Sequence, residues 1–341
     1  MANTMQRWTM NAVGRENLQL GYGDIPQPAP HQVRVRVKAI ALNYRDKMVI
    51  EGQMPVKMPL PFTPGSDMAG EIDAVGAEAS RFRLGDRVIS NFAPGWLDGQ
   101  PRGNARTPPY NTLGGFYQGV LAEYIVVDED WLSAAPHTLD DAQASTLPVA
   151  GLTAWFALIE RGQLRAGQTV LVQGTGGVAL FALQIAKAHG AQVYLTSASE
   201  QKLNQAKALG ADYGINRLQG DWVETLYQMT QDRGVDHVID TVGGSNLANS
   251  LRAVAVHGRI SVIGALEGFE LAGSAGLLLL KSPTVQGIGV GHRRALEDLV
   301  RAVDASGLQP VIEQRYRFDR LPDALDHLDR GAFGKIVLTL P

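Results

Sequence analysis

A glycine-rich turn between an apolar strand and a long apolar helix constrains the fold of this chain more than any other feature. TVLVQ (169–173) predicts the strand, and GTGGVA (174–179) follows it at the start of the predicted helix. Gly174 allows the tight turn, Gly176 lets a phosphate approach the backbone, and small Ala179 lets helix and strand pack closely. The N–H groups and the dipole of the helix N-terminus attract phosphate. The turn predicts a dinucleotide site made by Gly174, Thr175, Gly176, Gly177 and Val178.

Strands and helices alternate around this turn from about residue 140 onward. The predicted strands are TVLVQ (169–173), QVYLT (192–196), DYGIN (212–216), DHVID (236–240), RISVIG (259–264) and TVQGIGV (284–290). Helical segments lie between most of them, and the one over residues 246–258 is expected to end on Gly258 as its C-cap. Val- and Ile-rich strands joined by helices predict an α/β fold with a doubly wound parallel sheet. This setting favours dinucleotide binding over a turn that serves packing alone.

The first third of the chain predicts short β-strands instead. In residues 32–42 Val33, Val35 and Val37 alternate with basic residues, which is typical of a half-buried strand. Further strands are predicted over 68–76, 86–90 and 121–127, and a long surface loop over 91–119. After Gly291 the pattern predicts a helix (about 293–306), a strand, a helix and a last strand, KIVLTL.

The end of the second strand of the βα series indicates which dinucleotide binds. NAD sites usually place an acidic residue there, but this chain has Thr196 and Ser197, with Lys202 five residues later. A hydroxyl and an ammonium suit the 2′-phosphate of NADP(H), which a carboxylate would repel. Glu200 is expected to stabilise a helix N-terminus, and a solvated Lys202 is the alternative for the lysine. We therefore predict NADP(H).

Composition excludes several other classes of protein. The chain has no cysteine, which rules out disulfides and cysteine-bearing zinc sites, and its net charge of −3 offers no basic surface for nucleic acid. No signal peptide and no membrane-spanning run is predicted, and neither a P-loop nor a nucleophile elbow is present. We expect a cytoplasmic protein with a small-molecule partner.

Motifs along the whole chain resemble the medium-chain dehydrogenase/reductase superfamily, in particular its zinc-free quinone oxidoreductase branch. They are AIALNYRD (39–46), PFTPGSDMAGEIDAVG (61–76), GDRV (85–88), LPVAGLTAW (147–155), the GTGGVA turn, KALGAD (207–212), VIDTVGG (238–244) and GKIVL (334–338). The resemblance implies a GroES-like catalytic domain over residues 1–135 and 291–341. It also implies a Rossmann domain over residues 136–290, with the active site between the two domains.

The same resemblance implies the chemistry. Where zinc-dependent relatives carry catalytic zinc ligands, this chain has Asn43, Ser66 and Ala150, which do not replace thiolate and imidazole. We therefore expect no metal and an NADPH-dependent reduction of quinones or α,β-unsaturated carbonyls, because conjugation spreads the developing charge without a Lewis acid. A zinc-free alcohol or carbonyl oxidoreductase and a non-catalytic NADPH-binding protein are the alternatives.

Individual residues follow from the matched positions. Asn43 and Tyr44 are the candidate donors to the substrate oxygen, with a packing role as the alternative for the tyrosine. The resemblance implies cofactor contacts, beyond the glycine turn, Ser197 and Lys202, from Arg45, Thr153, Arg217, Val242, Ile263, Gly264, Ala265 and Lys335. It also implies a homodimer in which the last Rossmann strand pairs with its copy; coverage of that edge by the C-terminal segment is the alternative.

Overall fold

The computed structural model describes residues 4–54 and 58–341. These residues form two compact units, unit 1 within Met1–Leu152 and Gly291–Pro341, and unit 2 within Thr153–Val290. The return of the chain to unit 1 at Gly291 coincides with the predicted limit, but the predicted limit after residue 135 does not. Residues 136–152 pack in unit 1, because Ala142 lies in an apolar cluster with Ala39, Ala41 and Val337.

The strands of unit 1 are, in chain order, β1 (Thr4–Met10), β2 (Leu18–Asp24), β3 (Gln32–Leu42), β4 (Asp67–Val75), β5 (Arg87–Ser90), β6 (Tyr124–Asp128) and β7 (Leu132–Ala134). Those of unit 2 are β8 (Thr169–Gln173), β9 (Gln192–Ser197), β10 (Tyr213–Asn216), β11 (Val235–Asp240), β12 (Val254–Val262) and β13 (Thr284–Gly287). The chain ends in unit 1 with β14 (Ile312–Arg317) and β15 (Lys335–Thr339).

The α-helices are α1 (Tyr44–Ile50), α2 (Asp141–Ala144), α3 (Leu152–Trp155), α4 (Gly177–Ala188), α5 (Glu200–Ala208), α6 (Trp222–Thr230), α7 (Leu247–Ala253), α8 (Ala275–Lys281), α9 (Arg293–Ser306) and α10 (Leu321–Asp329). Two π-helical turns, Leu147–Gly151 and Phe156–Glu160, flank α3. Short 3₁₀ turns occupy Arg15–Asn17, Glu129–Trp131, Gly244–Asn246 and Phe318–Arg320. Throughout residues 4–54 and 58–341, every helix is too short or too polar to cross a bilayer.

Unit 1 is built on a mainly antiparallel sheet in the order β14-β15-β3-β4-β5-β7, with β6 also paired to β3 and a separate β1–β2 hairpin. The predicted alternation in β3 is confirmed, since Val33, Val35 and Val37 are buried in the core of this unit. The pairing of β3 with both β4 and β15 brings the ends of three strands together near Leu42. This β-rich unit is the GroES-like domain.

Unit 2 is a six-stranded parallel sheet in the order β10-β9-β8-β11-β12-β13. Every residue of β8 is buried, as expected for a central strand covered on both faces. From β8 the chain first adds β9 and β10 on one side of the sheet and then β11, β12 and β13 on the other. The strand order therefore reverses at β8, beside the glycine turn. The predicted doubly wound Rossmann sheet is confirmed, and β13 is its edge strand.

Several predicted element limits in unit 2 are wrong. The strand predicted over 259–264 runs over Val254–Val262. The helix predicted to end at Gly258 ends at Ala253, because Val254 already pairs with Val235 as the start of β12. Gly258 is needed for another reason: a Cβ there would lie 2.9 Å from the carbonyl oxygen of Asp236 on the neighbouring strand. The last strand, predicted over 284–290, ends at Gly287.

Candidate active site and cofactor site

The glycine turn of unit 2 has the geometry that phosphate binding requires. Gly174 has φ +87°, a left-handed conformation that favours glycine, and its N–H donates to the carbonyl oxygen of Thr196. Gly176 is the N-cap of α4, no side chain caps this helix start, and a Cβ at Gly176 would meet no atom within 4 Å. Ala179 is buried against the sheet, as predicted. The turn therefore fits the pyrophosphate of a dinucleotide, with the backbone of residues 174–178 open to it.

The end of β9 collects the residues predicted to select the cofactor. Ser197 is the last residue of β9, and its Oγ accepts from the N–H of Ser199 at 3.2 Å. The N–H of Arg217 donates to the Ser197 carbonyl oxygen, so the structure brings these two residues together, with the Arg217 side chain exposed. Lys202 lies in the first turn of α5. Glu200 begins that helix, and its carboxylate accepts from Asn216 Nδ2 at 2.6 Å. The preference for NADP(H) stays a prediction.

The four residues predicted to border the nicotinamide ribose lie on two adjacent loops after β11 and β12. The N–H of Leu266 donates to the carbonyl oxygen of Val242 at 2.7 Å, which ties the first loop to the second. A Cβ at Gly264 would overlap the carbonyl group of Thr241, so only glycine allows this approach. Ile263 and Ala265 flank it and are half-buried.

A buried carboxylate, to which no role was assigned from the sequence, holds the first of these loops. Asp240 is fully buried at the end of β11, and its Oδ1 accepts from the backbone N–H groups of Val242 and Gly243. Its Oδ2 accepts from Ser250 Oγ at 2.8 Å, and Asn246 donates to Oδ1. A signal was present, since an acidic residue stands between an apolar strand and a glycine pair in VIDTVGG, but its role depends on how the following loop and α7 fold back onto the strand end.

In unit 1 the structure brings Asn43 and Lys335 into direct contact. Asn43 follows β3 as the N-cap of α1, and its N–H donates to Asp46 Oδ2 at 2.9 Å. Lys335 begins β15, and its Nζ donates to Asn43 Oδ1 and to the carbonyl oxygen of Leu42, both at 2.6 Å. The antiparallel pairing of Ile336 with Leu42 fixes this contact between residues far apart in sequence. Because Lys335 is 4% exposed, its ammonium lies inside the unit, and its predicted cofactor contact stays a prediction.

A hydrogen-bonded row continues from Asn43 into the core of unit 1. Asn43 Nδ2 lies 3.5 Å from Ser66 Oγ, which donates to Asp67 Oδ1 at 2.7 Å. Asp67 Oδ2 accepts from the backbone N–H of Val149. We call Asn43, Asp46, Ser66, Asp67 and Lys335 the buried polar row; its two aspartates were not assigned a role from the sequence.

Burial dominates the electrostatics of the buried polar row. It raises the pKa of Asp67 to about 6, against the opposing effect of the Lys335 ammonium and with a further rise from Asp46. Burial also raises the pKa of Asp46, an effect that Arg45 opposes. The pKa of Lys335 is lowered by burial, while the two carboxylates act in the other direction. The row thus places two buried carboxyl groups and one buried ammonium beside the Asn43 carboxamide.

The three positions expected to replace zinc ligands hold a donor set that does not fit zinc. The Asn43 amide oxygen already accepts from an ammonium, and the Ser66 hydroxyl is bonded to Asp67. Ala150 is buried and has no donor atom. Within residues 4–54 and 58–341, no group of three or more His, Cys, Asp or Glu side chains could hold a metal ion.

Three further predicted residues are Arg45, Tyr44 and Thr153, and of these Arg45 also contacts the buried polar row, through Asp46 at 3.5 Å. The Arg45 guanidinium donates to Tyr110 Oη, Thr112 Oγ1 and the carbonyl oxygen of Leu113, so it binds the loop 91–119. The exposed Tyr44 ring contacts the ammonium of Lys47. Thr153 is buried in α3, at the start of unit 2. The roles predicted for these three residues stay predictions.

Two family models and several known proteins match this chain. The model of the alcohol dehydrogenase GroES-like domain matches residues 29–137, and that of the zinc-binding dehydrogenase matches residues 177–305. A protein of Schizosaccharomyces pombe named zinc-type alcohol dehydrogenase-like is 38% identical over 326 residues, which cover 93% of each chain. The chain belongs to the medium-chain dehydrogenase/reductase superfamily. As a member of this superfamily it is an oxidoreductase, and the family implies a nicotinamide cofactor.

Two further relatives of this superfamily member are informative. The quinone oxidoreductase of Mus musculus is 30% identical over 327 residues, covering 93% of this chain and 91% of that protein. The crystal structure of a candidate alcohol dehydrogenase from Sinorhizobium meliloti 1021 is 60% identical and superposes with a TM-score of 0.97 over 100% of both chains. The resemblance to the superfamily is confirmed. The names of these relatives cover both quinone and alcohol chemistry.

Proposed function

We propose that the protein is a zinc-independent, NADPH-dependent reductase of quinones or α,β-unsaturated carbonyl compounds. The observation that carries this proposal is the contact between the Lys335 ammonium and the Asn43 amide oxygen, at a position where zinc-dependent members of the superfamily have a ligand. A cation already bonded to this oxygen disfavours a metal ion there. The reaction then depends on hydrogen-bond donors to the substrate oxygen instead of a Lewis acid.

In the proposed reaction, unit 1 binds the substrate oxygen. The Asn43 Nδ2 group donates to the carbonyl oxygen, and the nearby ammonium of Lys335 favours the negative charge that develops on it. A conjugated acceptor spreads this charge over several atoms, so hydrogen bonds and one buried cation are enough to stabilise it. A simple ketone has no such conjugation and loses several kcal/mol of help without a metal.

Unit 2 would hold the cofactor. The backbone of residues 174–178 binds the pyrophosphate, and Val242, Ile263, Gly264 and Ala265 border the nicotinamide ribose. The nicotinamide, when bound, supplies the hydride. Ser197, Lys202 and Arg217 would bind the 2′-phosphate. This is supported by the absence of a carboxylate at the end of β9 and by the exposed Arg217, whose backbone N–H donates to the Ser197 carbonyl oxygen.

We further propose a homodimer in which β13 pairs with its copy. β13 is the edge strand of the sheet, and an exposed edge leaves N–H and C=O groups unpaired. Three exposed leucines on α8, Leu278, Leu279 and Leu280, precede this strand, and Leu280 is 82% exposed. Apolar surface of this kind is usually covered by a partner.

A zinc-free alcohol or carbonyl oxidoreductase is the second candidate, which the alcohol dehydrogenase name of the Sinorhizobium meliloti structure favours. The two candidates are separated by the turnover of an enone and of its saturated ketone, with NADPH and with protein shown by elemental analysis to contain substoichiometric zinc. Preferred turnover of the enone supports the proposal, and preferred turnover of the ketone supports the second candidate. Tight NADPH binding without turnover of either compound would instead indicate a non-catalytic NADPH-binding protein.

A further inference from the structure

We infer that Lys335 is a positioning residue, which fixes the Asn43 carboxamide so that its Nδ2 group, and not its oxygen, is presented to the substrate. This inference rests on the proposed function, because it gives Asn43 its role as the donor. It goes beyond that function by assigning a task to a lysine that lies inside unit 1.

An ammonium group determines which way an amide points. Lysine has three N–H donors and no acceptor, so only the oxygen of the Asn43 amide can face it favourably at 2.6 Å. The flipped amide would place two sets of N–H groups against each other. Nζ is held by a second bond to the carbonyl oxygen of Leu42, also at 2.6 Å, and Lys335 belongs to a paired strand. The ammonium therefore has little freedom to follow a flipped amide.

The other end of the amide specifies the same orientation. Ser66 Oγ donates its proton to Asp67 Oδ1 at 2.7 Å, so it presents a lone pair to Asn43 Nδ2 at 3.5 Å. An amide nitrogen has two N–H groups; one faces Ser66 in this long contact, and a side-chain hydrogen bond from Asn43 also lowers the pKa of Asp67. Both partners therefore hold the nitrogen at this end of the amide, in a residue that is 8% exposed. The hydrogen bonds along the row therefore all run in one direction: Lys335 donates to Asn43, Asn43 to Ser66, and Ser66 to Asp67.

Packing alone does not require this arrangement. Two buried carboxylates and one ammonium cost desolvation free energy, and apolar residues of similar volume often replace such groups without loss of stability. If the buried polar row serves the reaction, a substitution at Lys335 should therefore change turnover through its effect on Asn43. If the row serves folding alone, the same substitution should lower the free energy of unfolding and leave turnover per folded molecule unchanged.

A double-mutant cycle tests the inference. The variants are Lys335→Met, Asn43→Ala and the double variant, each assayed for kcat and KM with an enone and for NADPH affinity by fluorescence. We expect Lys335→Met to lower kcat about tenfold or more, with KM and NADPH affinity within about twofold. A larger loss of NADPH affinity would overturn the inference in favour of the cofactor contact that the family resemblance implies for Lys335. In the Asn43→Ala background the same change should alter kcat by less than about twofold. An equal loss in both backgrounds would overturn the inference, because Lys335 would then act independently of Asn43.

Two further variants keep the test decisive if Lys335→Met folds poorly. Asn43→Asp keeps an oxygen for the ammonium and replaces the N–H donors, so kcat should fall at least as far as in Asn43→Ala; retained turnover would overturn the inference. Lys281→Met is the matched control, because the half-buried Lys281 ammonium also donates to backbone carbonyl oxygens, those of Leu251, Arg252 and Val254. Its kcat should stay within about twofold of the unmodified protein; a loss as large as that of Lys335→Met would contradict a specific role for Lys335.

A measurement without turnover separates this inference from the proposed function. The Asn43 side-chain amide signals, identified in ¹⁵N NMR spectra by their loss in Asn43→Ala, should be resolved and slowly exchanging in the unmodified protein. In Lys335→Met they should broaden or exchange faster. If they do and no acceptor is reduced, the proposed function fails and the positioning role stands; unchanged signals would overturn the positioning role itself.

Discussion

Replacing Gly176 by alanine should weaken cofactor binding without weakening the fold. A Cβ at this position meets no atom within 4 Å, and the backbone of Gly176 (φ −77°, ψ −176°) is open to any residue. Alanine is a poorer N-cap than glycine by about 0.5–1 kcal/mol, while the smaller entropy of the unfolded chain offsets about 0.4–1 kcal/mol. The net change in the free energy of unfolding is therefore about zero. The new methyl group lies where a pyrophosphate must approach, so NADPH affinity should fall about tenfold or more, or about 1.4 kcal/mol.

Two other glycines provide the controls for this prediction. Gly174→Ala forces alanine to φ +87° and should lower the free energy of unfolding by about 1–2 kcal/mol. Gly21→Ala, in β2, also places its methyl group in open space; it should raise the free energy of unfolding by about 0.4–1 kcal/mol and leave NADPH affinity unchanged. The assays are urea unfolding and fluorescence titration with NADPH. If Gly176→Ala binds NADPH as the unmodified protein does, the turn does not hold the pyrophosphate and the reasoning is refuted.

Three other predictions concern cofactor choice, assembly and protonation. Ser197→Asp should weaken NADPH binding about tenfold or more while NADH affinity is kept, because the carboxylate repels the 2′-phosphate; equal NADPH and NADH affinities in the unmodified protein would contradict the assignment. Light scattering at micromolar concentration should show a dimer that Val285→Pro weakens, because proline removes one donor from β13; a monomeric unmodified protein would refute the proposed pairing. Burial raises the pKa of Asp67 to about 6 in the folded protein, against about 3.9 in the unfolded chain. The protonated carboxyl group therefore contributes to stability below about pH 4, and this contribution is lost as the pH rises through 6. Urea unfolding across this range should show a fall in stability that Asp67→Asn reduces, and an identical pH dependence in both proteins would show that Asp67 is not the group that titrates.

The parts of the fold that the sequence predicted are those that depend on local pattern. The alternation in β3 and the glycine turn before α4 each fit within one short segment, and both lie where predicted. The β1–β2 hairpin was not predicted, because TMQRWTM mixes polar and apolar residues and depends on distant partners. Trp8 donates from its backbone to Leu121 and from its indole to the carbonyl oxygen of Phe318.

The same distinction holds at the candidate site. Ser197 could be placed at the end of β9 from sequence, because strand ends follow from local pattern. The contact of Lys335 with Asn43 could not, because it depends on the register of β15 against β3, between residues 292 positions apart. The prediction for Gly258 was wrong for a similar reason. A glycine after a helical pattern indicates a C-cap, but Gly258 instead lets β12 lie close to the carbonyl oxygen of Asp236 on the neighbouring strand.

The most direct test of the central claim is the position of the transferred hydrogen. Protein with substoichiometric zinc is incubated with an enone and with NADPH that carries deuterium at C4 of the nicotinamide, and the product is analysed by NMR and mass spectrometry. We expect a saturated ketone with deuterium on the carbon β to the carbonyl group, formed equally well in the presence of a chelator. An allylic alcohol with deuterium on the former carbonyl carbon, or a reaction that stops when zinc is removed, would contradict the account.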